Sequence, residues 1–233
     1  MAWVIDIDVP PGAPPPGGWK MCTSAHANGQ TYSIPEGGQM DTYYRAPALA
    51  AGFAHGAIEF RSPGVGTVTP DDIGRAWQFI RSLSTALELD VNHLYAFGRS
   101  RGSLSMWQAL QADMQDLGAT AHMHRQSSRP QGVAVLSPQC TYRNQRFGEI
   151  FVLAGAERDE FYTHYPPSED GSRGSAIDDV ATVPLAQLMP LSIVAEAPWF
   201  GGQVTYAQAE STGQHMPDVG RVMRDAYAAR GVL

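Results

Sequence analysis

The chain has 233 residues, a formal net charge of −7 and a hydrophobic content of 43%. That length suits one domain with a full core, and the acidic balance argues against a general nucleic-acid binder, which needs a basic face. No apolar run reaches the length that spans a bilayer.

The start, Met1-Ala2-Trp3-Val4-Ile5-Asp6-Ile7-Asp8, has no basic region and carries two acids, so it does not read as a signal peptide. A cytoplasmic location is the expectation, with a removed leader as the alternative. Val4-Ile5-Asp6-Ile7-Asp8-Val9 alternates apolar and acidic residues and predicts an edge or half-exposed strand. Residues 10–18 form a Pro/Gly loop. Trp19-Lys20-Met21-Cys22-Thr23-Ser24-Ala25 predicts a second strand, ending at His26-Ala27-Asn28-Gly29. Lys20 is the only lysine, which reflects base composition rather than mechanism. The two cysteines, Cys22 and Cys140, make neither a disulfide framework nor a metal site, and their strand-like flanks predict buried free thiols. Residues 30–47 read as a polar loop followed by a short helix, and Ala57-Ile58-Glu59-Phe60 as a third strand.

Thr69-Pro70-Asp71-Asp72 is a helix start, with Thr69 as N-cap, Pro70 at the first helical position and acids in the first turn. Ile73, Ala76, Trp77, Ile80, Leu83 and Leu87 then share one face. Asn92-His93-Leu94-Tyr95-Ala96-Phe97 is of strand type and runs into Gly98-Arg99-Ser100-Arg101-Gly102. Leu104, Trp107 and Leu110 follow at helical spacing. This G-x-S-x-G stretch is weak alone, but strand, sharp turn and helix form the context in which such a serine is exposed as a nucleophile. Its bland reading is a Gly/Ser turn without chemistry. Residues 122–130 read as a polar loop, Gln131-Gly132-Val133-Ala134-Val135-Leu136-Ser137 as a strand, residues 190–196 as the last clear strand and residues 218–230 as a terminal helix. Strands alternating with helices predict an α/β fold, a mostly parallel central sheet flanked by helices on both faces.

These segments resemble the α/β-hydrolase superfamily on its esterase/lipase, carboxylesterase-like side. The resemblance is strongest from Ala57 to Ser137. It implies one domain over residues 1–233, a small member shortened at both ends, with residues 140–187 as a small cap-like insertion. It also implies hydrolase activity on a small-molecule ester without metal or organic cofactor. Strands missing from the ends leave an edge that invites pairing, so a homodimer is one assembly open to the chain.

The resemblance makes Ser100 the nucleophile. It places His26-Ala27-Asn28-Gly29 where such esterases carry His-Gly-Gly-Gly, so Ala27 and Asn28, with Arg101 after the nucleophile, would supply the oxyanion-hole N–H groups. A plain strand-ending turn is the competing reading. His215, on a Gly-containing loop before the terminal helix, is the first choice of general base. On a competing alignment the chain stops before the usual histidine position. His122 and His124 follow the elbow helix too closely, and His164 falls within the cap-like region. Glu196, at a strand end, ranks first as the acid of the catalytic triad, with Asp159 second. Arg99 and Arg101 read either as a cationic rim for an anionic substrate or, as we favour, as arginines paired with acids. Trp199 and Phe200 are candidate pocket or core residues.

The expected function is therefore that of a serine esterase. The rival is a non-catalytic binding protein of the same fold with a degenerate triad, and an amidase, peptidase or thioesterase on this scaffold is a third reading.

Overall fold

The structure is a computed structural model that describes residues 4–27, 36–38, 40–61, 70–141, 143, 146, 159, 175–194 and 217–232. Among them run the strands β1 (Ile5–Asp8), β2 (Trp19–Ala25), β3 (Ala54–Ile58), β4 (Leu89–Arg99), β5 (Gly132–Leu136) and β6 (Leu191–Val194). They form one sheet in the order β1-β3-β2-β4-β5-β6. β1 pairs antiparallel with β3, and every other pairing is parallel.

The helices are α1 (Ala46–Ala50), α2 (Asp71–Ser82), α3 (Leu104–Leu110), α4 (Ala176–Thr182) and α5 (Pro217–Ala229). A π turn, Asp41–Arg45, leads into α1. One face of the sheet lies under α2: Trp77 donates from Nε1 to Thr23 Oγ1 at 3.0 Å, and a Cβ placed on Gly56 would come within 3.6 Å of Ile80 Cδ1. α5 lies over the same face farther along, because a Cβ on Gly220 would come within 2.9 Å of Ile193 Cγ2. α1 covers the opposite face, where Tyr44 lies against Phe97 and Phe53 against Tyr95 with ring centroids about 6 Å apart. Helices on both faces of a mostly parallel sheet match the predicted class.

Several boundaries moved. The third strand runs over Ala54–Ile58 rather than 57–60, and all five of its residues are buried. A strand buried on both faces loses the alternation that marks strands in sequence, and His55-Gly56 looks like loop composition. β4 begins at Leu89, three residues earlier than expected. α2 begins at Asp71 with Pro70 in the cap position and no side-chain cap, one residue later than expected, while Thr69 lies outside the described residues. The first turn after β4, Ser100–Ser103, is a 3-10 turn before α3. Cys22 and Cys140 are buried and free, and burial pushes the Cys22 thiol up to about 12 and the Cys140 thiol up as well.

Thr141 and Ser175 form an antiparallel bridge, and Ala176 N donates to Cys140 O at 2.9 Å. Ala176 and Val180 of α4 are fully buried, and α4 packs on α3 and α5.

Trp77 anchors the α2 layer, being fully buried and hydrogen-bonded into β2. Its replacement by alanine removes a large buried ring and leaves a cavity. Trp77→Ala is expected to cost about 3–5 kcal/mol, read as a fall in Tm of about 10 °C in a thermal melt.

Candidate active site

β4 carries the chain to the C-terminal edge of the sheet and delivers it into α3 through Ser100–Ser103. Ser100 is in the left-handed region, at φ 51°. An L-residue there costs about 1–2 kcal/mol, so the surroundings must hold it. They do so by close approach. A Cβ on Gly98 would lie 2.0 Å from Gly102 O, and a Cβ on Gly102 would lie 2.0 Å from Ala25 O. Strand, turn and the end of β2 therefore touch through backbone atoms, and both glycines are sterically required. Ser100 is half-buried. A strained serine between two such glycines, joining a central parallel strand to a helix, is the geometry of a nucleophile elbow.

Solved structures with the same chain path carry the comparison further. A truncated carbohydrate esterase from gut microbiota is similar over 97% of this chain and 78% of its own, at 14% identity and a TM-score of 0.61. Esterase 2 of Thermogutta terrifontis, solved with propionate bound, is similar over 94% of this chain and 75% of its own, at 16% identity and a TM-score of 0.54. An acetyl ester-xyloside bifunctional hydrolase from Caldicellulosiruptor lactoaceticus is similar over 100% of this chain and 90% of its own, at 13% identity and a TM-score of 0.54. The chain has the α/β-hydrolase fold. No protein-family model and no curated protein matches its sequence.

Within this α/β-hydrolase fold the predicted site residues divide. Ser100, Arg101 and Ala27 are brought to one edge of the sheet. Ala25 pairs with Gly98 in the parallel register of β2 and β4, so the residues that follow each strand emerge side by side. Ala27 is buried next to the elbow. Asn28, Glu196 and His215 lie outside the described residues, as do His164, Trp199 and Phe200. Asp159 is described, but its chain neighbours are not. His122 and His124 sit on a 3-10 turn, His122–Arg125. Gln78 of α2 ties that segment down, donating to Gln126 O at 2.7 Å, and Arg81 donates to Ser127 O at 2.8 Å. Burial lowers the Arg81 guanidinium to about 10.

Arg101 is only 4% exposed, so its side chain does not form a solvent-facing rim. Both Arg99 and Arg101 are engaged by neighbours. Arg61 closes the segment beyond β3 onto α2: its backbone N–H and guanidinium both donate to the buried Asp72 carboxylate, at 2.9 and 2.7 Å. That carboxylate holds the Arg61 guanidinium above its usual value.

The sequence reading missed the His26 side chain, which is 3% exposed. Its Nδ1 is 2.8 Å from Ala27 O, its Nε2 is 3.2 Å from Glu59 Oε1, and its ring stacks on Phe60 with centroids 4.4 Å apart. The available signal was Glu59 itself, an acid following the buried β3 strand.

A large apolar cavity, about 760 Å³, lies on the α1 face, lined by Cys22, Tyr44, Phe53, Tyr95, Phe97 and Ala134 among others. Its lining follows β4 only as far as Phe97 and does not reach Ser100. It is therefore not where chemistry at Ser100 would take place.

Proposed function

We propose that the chain is a serine hydrolase that cleaves carboxylic esters through an acyl-enzyme on Ser100. The observation that carries this reading is Ser100 at φ 51° between two glycines whose Cβ positions are filled by backbone. Glu88 and Ser137 are left-handed too, at φ 52° and 47°, but of the three it is Ser100 that stands on the turn from a central parallel strand into a helix, where this fold presents a nucleophile. The structurally similar proteins named above are an esterase, a carbohydrate esterase and an acetyl ester-xyloside hydrolase, and Thermogutta terrifontis esterase 2 is also known phosphorylated by paraoxon. They support the ester as the substrate class.

In the proposed reaction the Ser100 hydroxyl oxygen attacks the ester carbonyl carbon while His215 takes its proton. The N–H groups of Ala27, Asn28 and Arg101 stabilise the oxyanion that develops. The intermediate collapses, and the alcohol leaves with the proton returned by His215. Water then attacks the acyl-serine carbonyl, with His215 as base again, and the carboxylic acid departs. Glu196 is the first choice to orient His215, with Asp159 second. Residues 140–187 are the proposed cap-like insertion. Ester and water supply every atom, so the scheme requires no cofactor.

The test is hydrolysis of p-nitrophenyl esters from acetate to octanoate. The wild type is expected to turn over, with a chain-length preference that sizes the acyl pocket, and His215→Ala is expected to lose about 10⁴-fold or more in kcat. A wild type no faster than Ser100→Ala on every ester would overturn the reading in favour of a binding protein. Retained activity in His215→Ala would overturn the assignment of the base alone.

A further inference from the structure

β4 is a central strand, yet only one of its faces is closed. Leu94 and Ala96 are buried, whereas Tyr95 and Phe97, which alternate with them, are half-buried. A parallel strand in the middle of a sheet is ordinarily covered on both faces. The opening is the cavity of about 760 Å³ on the α1 face. Its depth follows from the residues that floor it. Parallel register sets Tyr95 beside Cys22 and Gly132, and Phe97 beside Ala134, which in turn pairs with Ser192. Large rings on β4 thus give way to a hydrogen, a methyl and a hydroxymethyl group on β5 and β6.

The walls are aromatic. Tyr43, Tyr44, Phe53, Tyr95 and Phe97 all line the space, and none of the lining residues is charged. Phe53 meets Tyr95 edge-on with centroids 6.1 Å apart, and Tyr44 tilts against Phe97 at 6.0 Å. Rings favour such offset and edge contacts, so a further flat ring is the body that fits among them.

One end of the space carries donors. Lys20, the only lysine, is exposed, and its Nζ stands 6.0 Å from the centroid of Phe53. Among the described residues Lys20 forms no ion pair. Its acidic neighbour Asp90 is engaged elsewhere: Oδ2 lies 2.6 Å from His93 Nδ1, and Oδ1 accepts from Asn92 N at 3.0 Å. Gln131, also in the lining, accepts from Leu94 N at 2.8 Å through Oε1, which leaves its NH2 to donate to a ligand. Lys20 and Gln131 enter at the same level, on either side of β4: Met21, next to Lys20, pairs with Leu94, and Gln131 N donates to Leu94 O at 2.8 Å. An ammonium and an amide NH2 at one end of an uncharged aromatic space select an anionic ligand.

The geometry points to a second ligand site, separate from Ser100, that takes a small aromatic carboxylate, its rings among Tyr44, Phe53, Tyr95 and Phe97 and its carboxylate toward Lys20 and Gln131. The site binds without reacting, because burial pushes the Cys22 thiol in its lining up to about 12 and keeps it protonated. It stands independently of the ester-hydrolase reading, since no step at Ser100 enters the argument.

The experiment is calorimetric titration of the whole chain with 2-naphthoate, beside its neutral counterpart 2-naphthamide. Wild type is expected to bind naphthoate with a Kd of about 10 μM to 1 mM. It is expected to bind naphthamide about fivefold more weakly, the effect of one exposed charge. Lys20→Gln is expected to bind naphthoate about fivefold more weakly than wild type does, and naphthamide unchanged. Ala134→Phe puts a ring on the floor of the cavity and is expected to weaken naphthoate at least about tenfold. Ser192→Phe narrows the same cavity from an exposed position and decides where Ala134→Phe does not fold. Ser100→Ala is expected to bind naphthoate as wild type does. Wild type that shows no binding up to about 10 mM overturns the proposal. So does naphthoate binding that is unchanged in both phenylalanine variants, or lost in Ser100→Ala, because either result places the ligand elsewhere. Naphthoate and naphthamide bound alike by wild type, or naphthoate bound unchanged by Lys20→Gln, overturns the carboxylate as the ligand class.

Discussion

Ser100→Ala is expected to lower ester turnover by about 10⁵- to 10⁶-fold while leaving the fold in place, because removing the nucleophile of a triad costs about as much as removing the whole triad. The hydroxyl contributes one oxygen, and the Cβ that the backbone already accommodates remains. Ser100→Gly separates chemistry from strain. At φ 51° a Cβ is unfavourable, so glycine should raise stability by up to about 1 kcal/mol while abolishing turnover equally. Thermal melts and initial rates on one substrate check both halves. Stability that falls in Ser100→Gly would show that the left-handed conformation carries no strain. Turnover that survives in Ser100→Ala would remove Ser100 from the mechanism.

The second large effect falls on the elbow glycines. A Cβ at position 102 would sit 2.0 Å from Ala25 O and 2.7 Å from Ala25 C, both backbone atoms of a central strand. No rotamer change relieves that overlap. The helix must lift from the strand by about an ångström, at a cost of about 1–3 kcal/mol or more, and a displacement of that size at a catalytic centre costs about 10²-fold in rate. Gly102→Ala is therefore expected to lose both stability and activity, and Gly98→Ala to behave alike, since its Cβ would lie 2.0 Å from Gly102 O. Gly118→Ala is the control. Its Cβ would meet only Asp116 Oδ1 at 3.4 Å, and its φ lies outside the left-handed range, so stability and rate should hardly change. Urea unfolding alongside ester hydrolysis distinguishes these cases, and a wild-type Gly102→Ala would contradict the close approach of strand and helix.

The elbow was legible because its signal is local. Gly98, Ser100 and Gly102 must stand at those spacings for backbone reasons, and the flanking residues carry the strand and helix patterns beside them. α2 was legible for a similar cause, since Ile73, Ala76, Trp77 and Ile80 repeat at helical spacing and all are buried. β3 was misplaced by three residues because both its faces are covered, so Gly56 answers to packing against Met21 and Ile80, and His55 to its hydrogen bond with Ser24, rather than to any alternation. The surroundings of His26 were barely legible, Glu59 being the one signal. Its partner Glu59 lies 33 residues away, on a segment brought alongside only by strand pairing. The triad acid poses the same difficulty: Glu196 and Asp159 were ranked by strand ends, and only the tertiary path of the loops decides which carboxylate meets a histidine.

The most direct test of the central claim is exposure of the purified protein to paraoxon, followed by intact-mass and peptide mass spectrometry beside a p-nitrophenyl butyrate assay. The account predicts a single diethylphosphoryl group on the peptide that contains Ser100, loss of hydrolysis in proportion to labelling, and no adduct on Ser100→Ala. An unlabelled protein, or hydrolysis that persists when Ser100 is fully phosphorylated, would contradict it.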